Sequence, residues 1–159
     1  MQNIHTFKGW DIFDDELKKI TSNCKKLKRI CLGDYSKYQW SDIEPREQAF
    51  AGIKKVINSN KTSLKHICFH TCAISDNFFD SLLEINGFQL RSIHLSHCTN
   101  VNFLGFGRFC KVQKELSEID LSFSEIRNED LLMISKILPH LKILKISCCH
   151  EITDVSIYL

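Results

Sequence analysis

The chain has 159 residues, 43% apolar and 25% charged, with a net charge of +2 when histidines are neutral. This is ordinary composition for one globular domain, and the near-balanced charge provides no strong field to draw in nucleic acid or an acidic membrane surface. No apolar run approaches the ~20 residues of a membrane span. The first ten residues lack the apolar core of a secretory signal, and no arginine precedes Arg29, as a mitochondrial presequence would require.

In chain order, residues 1–26 read as a first unit, with a weak strand whose inward positions are Met1, Ile4 and Thr6. A helix follows that buries Leu17 and Ile20, and Cys24 sits in the turn before the next strand. The second unit, 27–63, opens on Leu27-Lys28-Arg29-Ile30-Cys31-Leu32. It carries an insertion at 33–45 and then a helix over 46–58, with Pro45 in its first turn and Phe50, Ile53 and Ile57 as its buried stripe. The third unit, 64–89, opens on Leu64-Lys65-His66-Ile67-Cys68-Phe69, and the fourth, 90–115, on Leu90-Arg91-Ser92-Ile93-His94-Leu95. The fifth, 116–140, opens on Leu116-Ser117-Glu118-Ile119-Asp120-Leu121 and ends at Pro139. The sixth, 141–159, opens on Leu141-Lys142-Ile143-Leu144-Lys145-Ile146 and stops inside its helix.

From Leu64 onward these starts are 26, 26 and 25 residues apart, and each motif follows the pattern LxxLxL. The first, fourth and sixth positions point inward, as a period of two requires. Cys72, Cys98 and Cys149 each follow the first leucine by eight residues, in a turn suited to a small side chain. An apolar step (Ile74, Val101, Ile126, Ile152) leads to a helix, with Asp76, Asn128 and Asp154 at the N-cap. The helices bury Phe79 with Leu82, Phe106 with Phe109, and Leu131 with Ile134, and Phe78 and Phe103 extend this core stripe. A fixed period of this size predicts an α/β leucine-rich-repeat solenoid, or horseshoe, of about six units. Its parallel concave β-sheet is backed by outer helices, forming a single domain over 1–159.

The segments Leu141–Asp154 and Ile12–Ile30 resemble the cysteine-containing leucine-rich repeat found in F-box/leucine-rich-repeat proteins, the substrate receptors of cullin-type ubiquitin ligases. The resemblance covers residues 1–32 and 64–159. Tyr35 and Ser124 depart from it at the cysteine position, and Phe103 at the capping position. It implies a non-enzymatic protein-recognition module. The F-box itself is absent from this chain, so the ligase link is an analogy through repeat type. Related repeats without an F-box occur in small assembly factors of mitochondrial complexes, which makes a structural or assembly subunit the alternative reading.

Two irregularities point to a partner-binding surface. The insertion carries Tyr35, Tyr38 and Trp40, residue types that dominate interface hot spots, and Tyr38 and Trp40 are the expected anchors unless they fold back over the core. The solvent-facing strand positions form three expected rows. One reads Asn3, Arg29, His66, Ser92, Glu118, Ile143; the next His5, Cys31, Cys68, His94, Asp120, Lys145; the last Phe7, Gly33, His70, Ser96, Ser122, Ser147. Arg29, Cys31, His66, Cys68, His70, His94, Glu118, Asp120 and Lys145 are therefore the expected contacts on the concave side. His66, Cys68, His70, His94 and His97 cluster there, which raises a third reading, a His/Cys metal site; the spacing matches no zinc motif, and no cofactor or metal is assigned.

No P-loop, dinucleotide fingerprint or assembled nucleophile–base set supports an enzyme. The eight cysteines read as reduced thiols of a cytoplasmic or nuclear protein, with mitochondria as the alternative. Asn60-Lys61-Thr62 is a chance glycosylation sequon on this reading. The open ends of the repeat imply either further units or a larger complex that covers them.

Overall fold

The computed structural model describes residues 4–10, 14–33, 47–74 and 77–153. The insertion residues 34–46, including Tyr35, Tyr38, Trp40 and Pro45, lie outside them, as do the capping positions Asp76 and Asp154. Strands and helices alternate: β1 (Thr6–Trp10), α1 (Asp14–Asn23), β2 (Arg29–Gly33), α2 (Glu47–Ser59), β3 (His66–His70), α3 (Phe78–Leu83), β4 (Ser92–Ser96), α4 (Phe103–Val112), β5 (Glu118–Asp120), α5 (Asn128–Ile137) and β6 (Ile143–Lys145). The six strands form one parallel sheet in the order β1-β2-β3-β4-β5-β6. Because parallel crossovers are right-handed, a sequential order without a switch places every helix on the same side of the sheet. Each helix touches the next one along the chain.

One core fills the space between the two layers. Leu27, Leu64, Leu90 and Leu116, the first residues of four motifs, are fully buried. So are the inward strand residues Ile67, Phe69, Ile93, Leu95, Ile119 and Leu121. From the helices come Leu17, Ile20, Ile53, Val56, Ile57, Leu82 and Ile134. Phe79 is a hub, with its ring centroid 5.0 Å from Phe106, 5.2 Å from Phe78 and 5.7 Å from Phe109. Phe103 is only partly buried at the edge of this cluster, 6.4 Å from Phe106, and Leu131 is likewise only partly buried.

The units are tied at the start of each strand by one carbonyl that accepts two N–H groups from the following unit. His5 O accepts from Lys28 and Arg29, Lys28 O from Lys65 and His66, and Lys65 O from Arg91 and Ser92. Arg91 O and Ser117 O repeat the pattern with residues 117–118 and 142–143. This places His5 at the second motif position, so the first motif begins at Ile4 rather than Met1. Phe7 and Gly9 pair with Ile30 and Leu32, and Lys8 rather than His5 lies beside Cys31. The three-residue correction has a physical reason. The expected register would have turned the Phe7 ring to solvent, whereas the observed one packs it against the core.

Two buried amides reinforce these ties. Asn60 Oδ1 accepts from Leu27 N at 2.9 Å while its Nδ2 donates to Val56 O at 2.9 Å. Gln113 Oε1 accepts from Leu90 N at 2.8 Å while its Nε2 donates to Phe88 O at 3.3 Å. Each amide satisfies the N–H of the leucine that opens its own unit, a group with no ladder partner. The sequon asparagine is thus a buried structural group in the folded chain.

The cysteine turn has its own geometry. Thr71, His97, Phe123 and Cys148 hold equivalent places, each with φ between 56° and 60°. This left-handed conformation costs non-glycine residues about 1–3 kcal/mol. The N–H groups of Thr71, His97 and Phe123 donate to Ser96 O, Ser122 O and Ser147 O of the next unit, which offsets part of that cost. In the turn, the Cys149 thiol donates to Leu121 O at 3.2 Å, and Ser124 occupies the equivalent site one unit earlier, buried 3.9 Å from the Cys149 sulfur. Two capping expectations change. Asn102, not Phe103, caps α4 by accepting from Gly105 N at 3.1 Å. Asn128 is the first residue of α5 rather than its cap, and it bridges to Thr153 of the next unit through two hydrogen bonds.

Leu90→Ala should destabilise the chain by about 2–5 kcal/mol, because it empties a closed core position. Gln113→Ala should cost about 1–3 kcal/mol by leaving the buried Leu90 N–H unsatisfied. Urea titration checks both, and a loss under about 0.5 kcal/mol, typical of surface sites, would contradict the stacking described.

Candidate functional site

Opposite the helices, the open face of the sheet is built from alternate strand residues. The register aligns Thr6, Arg29, His66, Ser92, Glu118 and Ile143 in one row. The central row is Lys8, Cys31, Cys68, His94, Asp120 and Lys145. A third row holds Trp10, Gly33, His70 and Ser96. All nine expected strand contacts, from Arg29 to Lys145, fall on this face; the expected loop anchors Tyr38 and Trp40 lie outside the described residues.

Neighbouring strands hold one another's polar groups. His66 Nδ1 is 2.8 Å from Ser92 Oγ, and His70 Nδ1 is 2.7 Å from Ser96 Oγ. Lys145 Nζ donates to Glu118 Oε1 at 3.2 Å, and His94 Nε2 approaches the same oxygen at 3.2 Å. The His94 contact has the distance of an ion pair but not the direction of a hydrogen bond, so this shielded nitrogen makes none. Its attraction to Glu118 is electrostatic and needs a protonated ring. Asp120 Oδ1 accepts from Ser122 N at 3.0 Å.

These contacts shift ionisation. Burial pushes the Glu118 carboxyl up, but the Lys145 hydrogen bond and the nearby His94 more than offset it, leaving the group below the usual carboxylate range. Burial, and then the positive charge of Arg29, lower the His66 imidazole below its ordinary value. Burial and the neighbouring Cys31 thiol push Cys68 up to about 12. Cys68 lies beside His94 in register, yet its shift is the reverse of an activated nucleophile's. No group of three or more His, Cys, Asp or Glu side chains among the described residues is arranged to hold a metal ion. Cys68 and His94 thus supply two donors where zinc sites use three or four protein ligands. None of the eight cysteines is in a disulfide.

A row of rings along the C-terminal rim of the strands went unrecognised in the sequence. Trp10 lies edge-on to His70 at 5.9 Å, His70 edge-on to His97 at 5.2 Å, and His97 stacks on Phe123 at 3.9 Å with planes 13° apart. A Cβ on Gly33 would fall 2.0 Å from the Trp10 ring, so the glycine is what lets that ring lie across β2. Trp10 and Phe123 remain 47% and 48% exposed. The equivalence of positions 97 and 123 within the repeat was a readable signal; the place of Trp10 needed the corrected register.

Elsewhere, Leu104 and Val112 are exposed on α4, and a cleft of about 510 Å³ near the starts of α4 and α5 is lined by Asn102, Leu104, Glu125, Arg127, Glu129 and Asp130. Neither adjoins the rows. Among the described residues, no helix is long and apolar enough to cross a membrane.

Because the fold favours neutral His66, the unfolded chain takes up the proton first as pH falls. The stability linked to this group is complete above its ordinary value of 6.5 and is lost below it. Thermal melts between about pH 7.5 and pH 5.5 should therefore show a smaller fall in Tm for His66→Gln than for the parent chain. An equal or steeper fall in the variant would contradict the assignment. Comparison with known family models and with curated proteins finds no match to this chain.

Proposed function

We propose that the chain is a leucine-rich-repeat solenoid domain of about six units. On this reading it recognises a protein partner through the concave, open face of its sheet and catalyses no reaction. Its role is that of the substrate-recognition repeats in F-box/leucine-rich-repeat receptors, in a cytoplasmic or nuclear setting. The sequential parallel order and the 26-residue offsets from Ile67 to Ile93 and from Ile93 to Ile119 support the repeat class.

One observation carries the functional reading: several polar groups of the face are already held by their neighbours. The pairs His66–Ser92 and His70–Ser96 and the group His94–Glu118–Lys145 span four adjacent strands. Side chains fixed before encounter lose less entropy on binding, which favours recognition by a rigid surface. The raised Cys68 thiol argues against a cysteine nucleophile, and the two-donor Cys68–His94 pair gives the metal reading little to build on.

The alternative, an assembly subunit of a large complex, has one observation in its favour. Leu104, 67% exposed, and Val112 lie two turns apart on the outer side of α4, two exposed apolar side chains with Arg108 between them. Affinity purification of the full chain with mass spectrometry separates the two. A recognition domain should lose its captured partner at least about tenfold, or about 1.4 kcal/mol, in His94→Ala/Asp120→Ala while Leu104→Ser/Val112→Ser keeps it. The opposite pattern, with one fixed set of stoichiometric subunits, would overturn recognition through the face in favour of assembly.

A further inference from the structure

Resting on that reading of the face, we propose that the partner presents an extended polypeptide segment that crosses the strands. It sets an aromatic or long apolar side chain on the Trp10–His70–His97–Phe123 row and directs a carboxylate to Lys8 and Arg29. The ring row runs from β1 to just beyond β5 and leaves its two end rings about half exposed. Aromatic surface this open on a face of polar side chains marks an interaction site rather than core. The backbone is shaped for it. His97 and Phe123 stack from left-handed positions that phenylalanine and histidine rarely occupy, and Gly33 has no side chain where Trp10 must lie.

Charge gives the segment its direction. Lys8 and Arg29 share the face with Trp10, and among the described residues neither has an acidic partner. At the far end Glu118 is already paired with Lys145, while the Asp120 carboxylate stands in the central row. An acidic residue is therefore favoured over β1 and β2 and disfavoured over β5. Five strands about 4.8 Å apart span roughly 19 Å, which an extended chain covers with about six residues.

The test is a displayed library of random peptides of about twelve residues, twice the predicted footprint, selected on the immobilised full chain and repeated on variants whose thermal melts match the parent. Enriched peptides should combine an aromatic or long apolar residue with aspartate or glutamate. Phe123→Ser should weaken them at least about tenfold. Lys8→Glu/Arg29→Glu should reverse the charge preference toward lysine and arginine. Peptides that bind Phe123→Ser as tightly as the parent, or keep their acidic preference on the charge-reversed variant, would overturn the proposal. If those same peptides are lost on His94→Ala/Asp120→Ala, the face remains the binding surface and only the ring-row assignment fails. If they ignore every face variant, both readings fail. Absence of any enriched peptide also overturns the proposal.

Discussion

Every strand in this chain leaves its N–H and C=O groups to be met by another strand between 23 and 37 residues away, since a parallel strand has no partner within its own unit. That dependence explains the carbonyls that each accept two N–H groups at the strand starts. It explains the buried amide of Gln113, which joins Leu90 N of its own unit to Phe88 O of the preceding one. It also explains why the strained turns are retained, because the left-handed N–H groups of Thr71, His97 and Phe123 find acceptors in the next unit. Stacking is the condition for any one unit to be folded.

The same constraint makes the open face a product of register. The residues that meet on it are distant in the chain and become neighbours only because five pairings keep their alignment. The second unit shows how firmly this is held: 37 residues separate Ile30 from Ile67, yet Arg29, Cys31 and Gly33 still face His66, Cys68 and His70. The longer second unit keeps this register without a slip. A slip of one residue would have exchanged the Cys68 and His94 row for the isoleucines of the core.

Most of this was readable from the LxxLxL spacing, because the inward leucines and isoleucines from Leu27 onward are strong and regular. The alignments of Cys68 with His94 and of Glu118 with Ile143 follow directly from a 26- or 25-residue offset. The first strand was misread because Met1, Ile4 and Thr6 mimic the pattern as well as Ile4, Phe7 and Gly9 do, and glycine at an inward position carries no hydrophobic signal. The caps lie one residue earlier than expected: Asn102 and Asn128 hold the same place after Leu90 and Leu116, yet Asn102 caps α4 whereas Arg127 is the cap of α5. The amide ties and the left-handed turns were invisible for another reason. Glutamine, threonine and phenylalanine do not announce burial or positive φ; only their partners, distant in the chain, require it. Of the candidate contacts, the strand residues could be placed from spacing alone, whereas ring orientation depends on Gly33 and on the turns.

The face, its ring row and its direction of charge all depend on the first strand pairing with β2 in the register that places Lys8 beside Cys31. Cross-strand nuclear Overhauser effects in the isotope-labelled full chain measure this directly. The account predicts contacts linking Lys8 to Cys31 and Trp10 to Gly33, continuing from Cys68 to His94 and from His94 to Asp120. Contacts linking His5 to Cys31 and Phe7 to Gly33 would contradict it, since they would remove Trp10 from the ring row and Lys8 from its place beside Arg29.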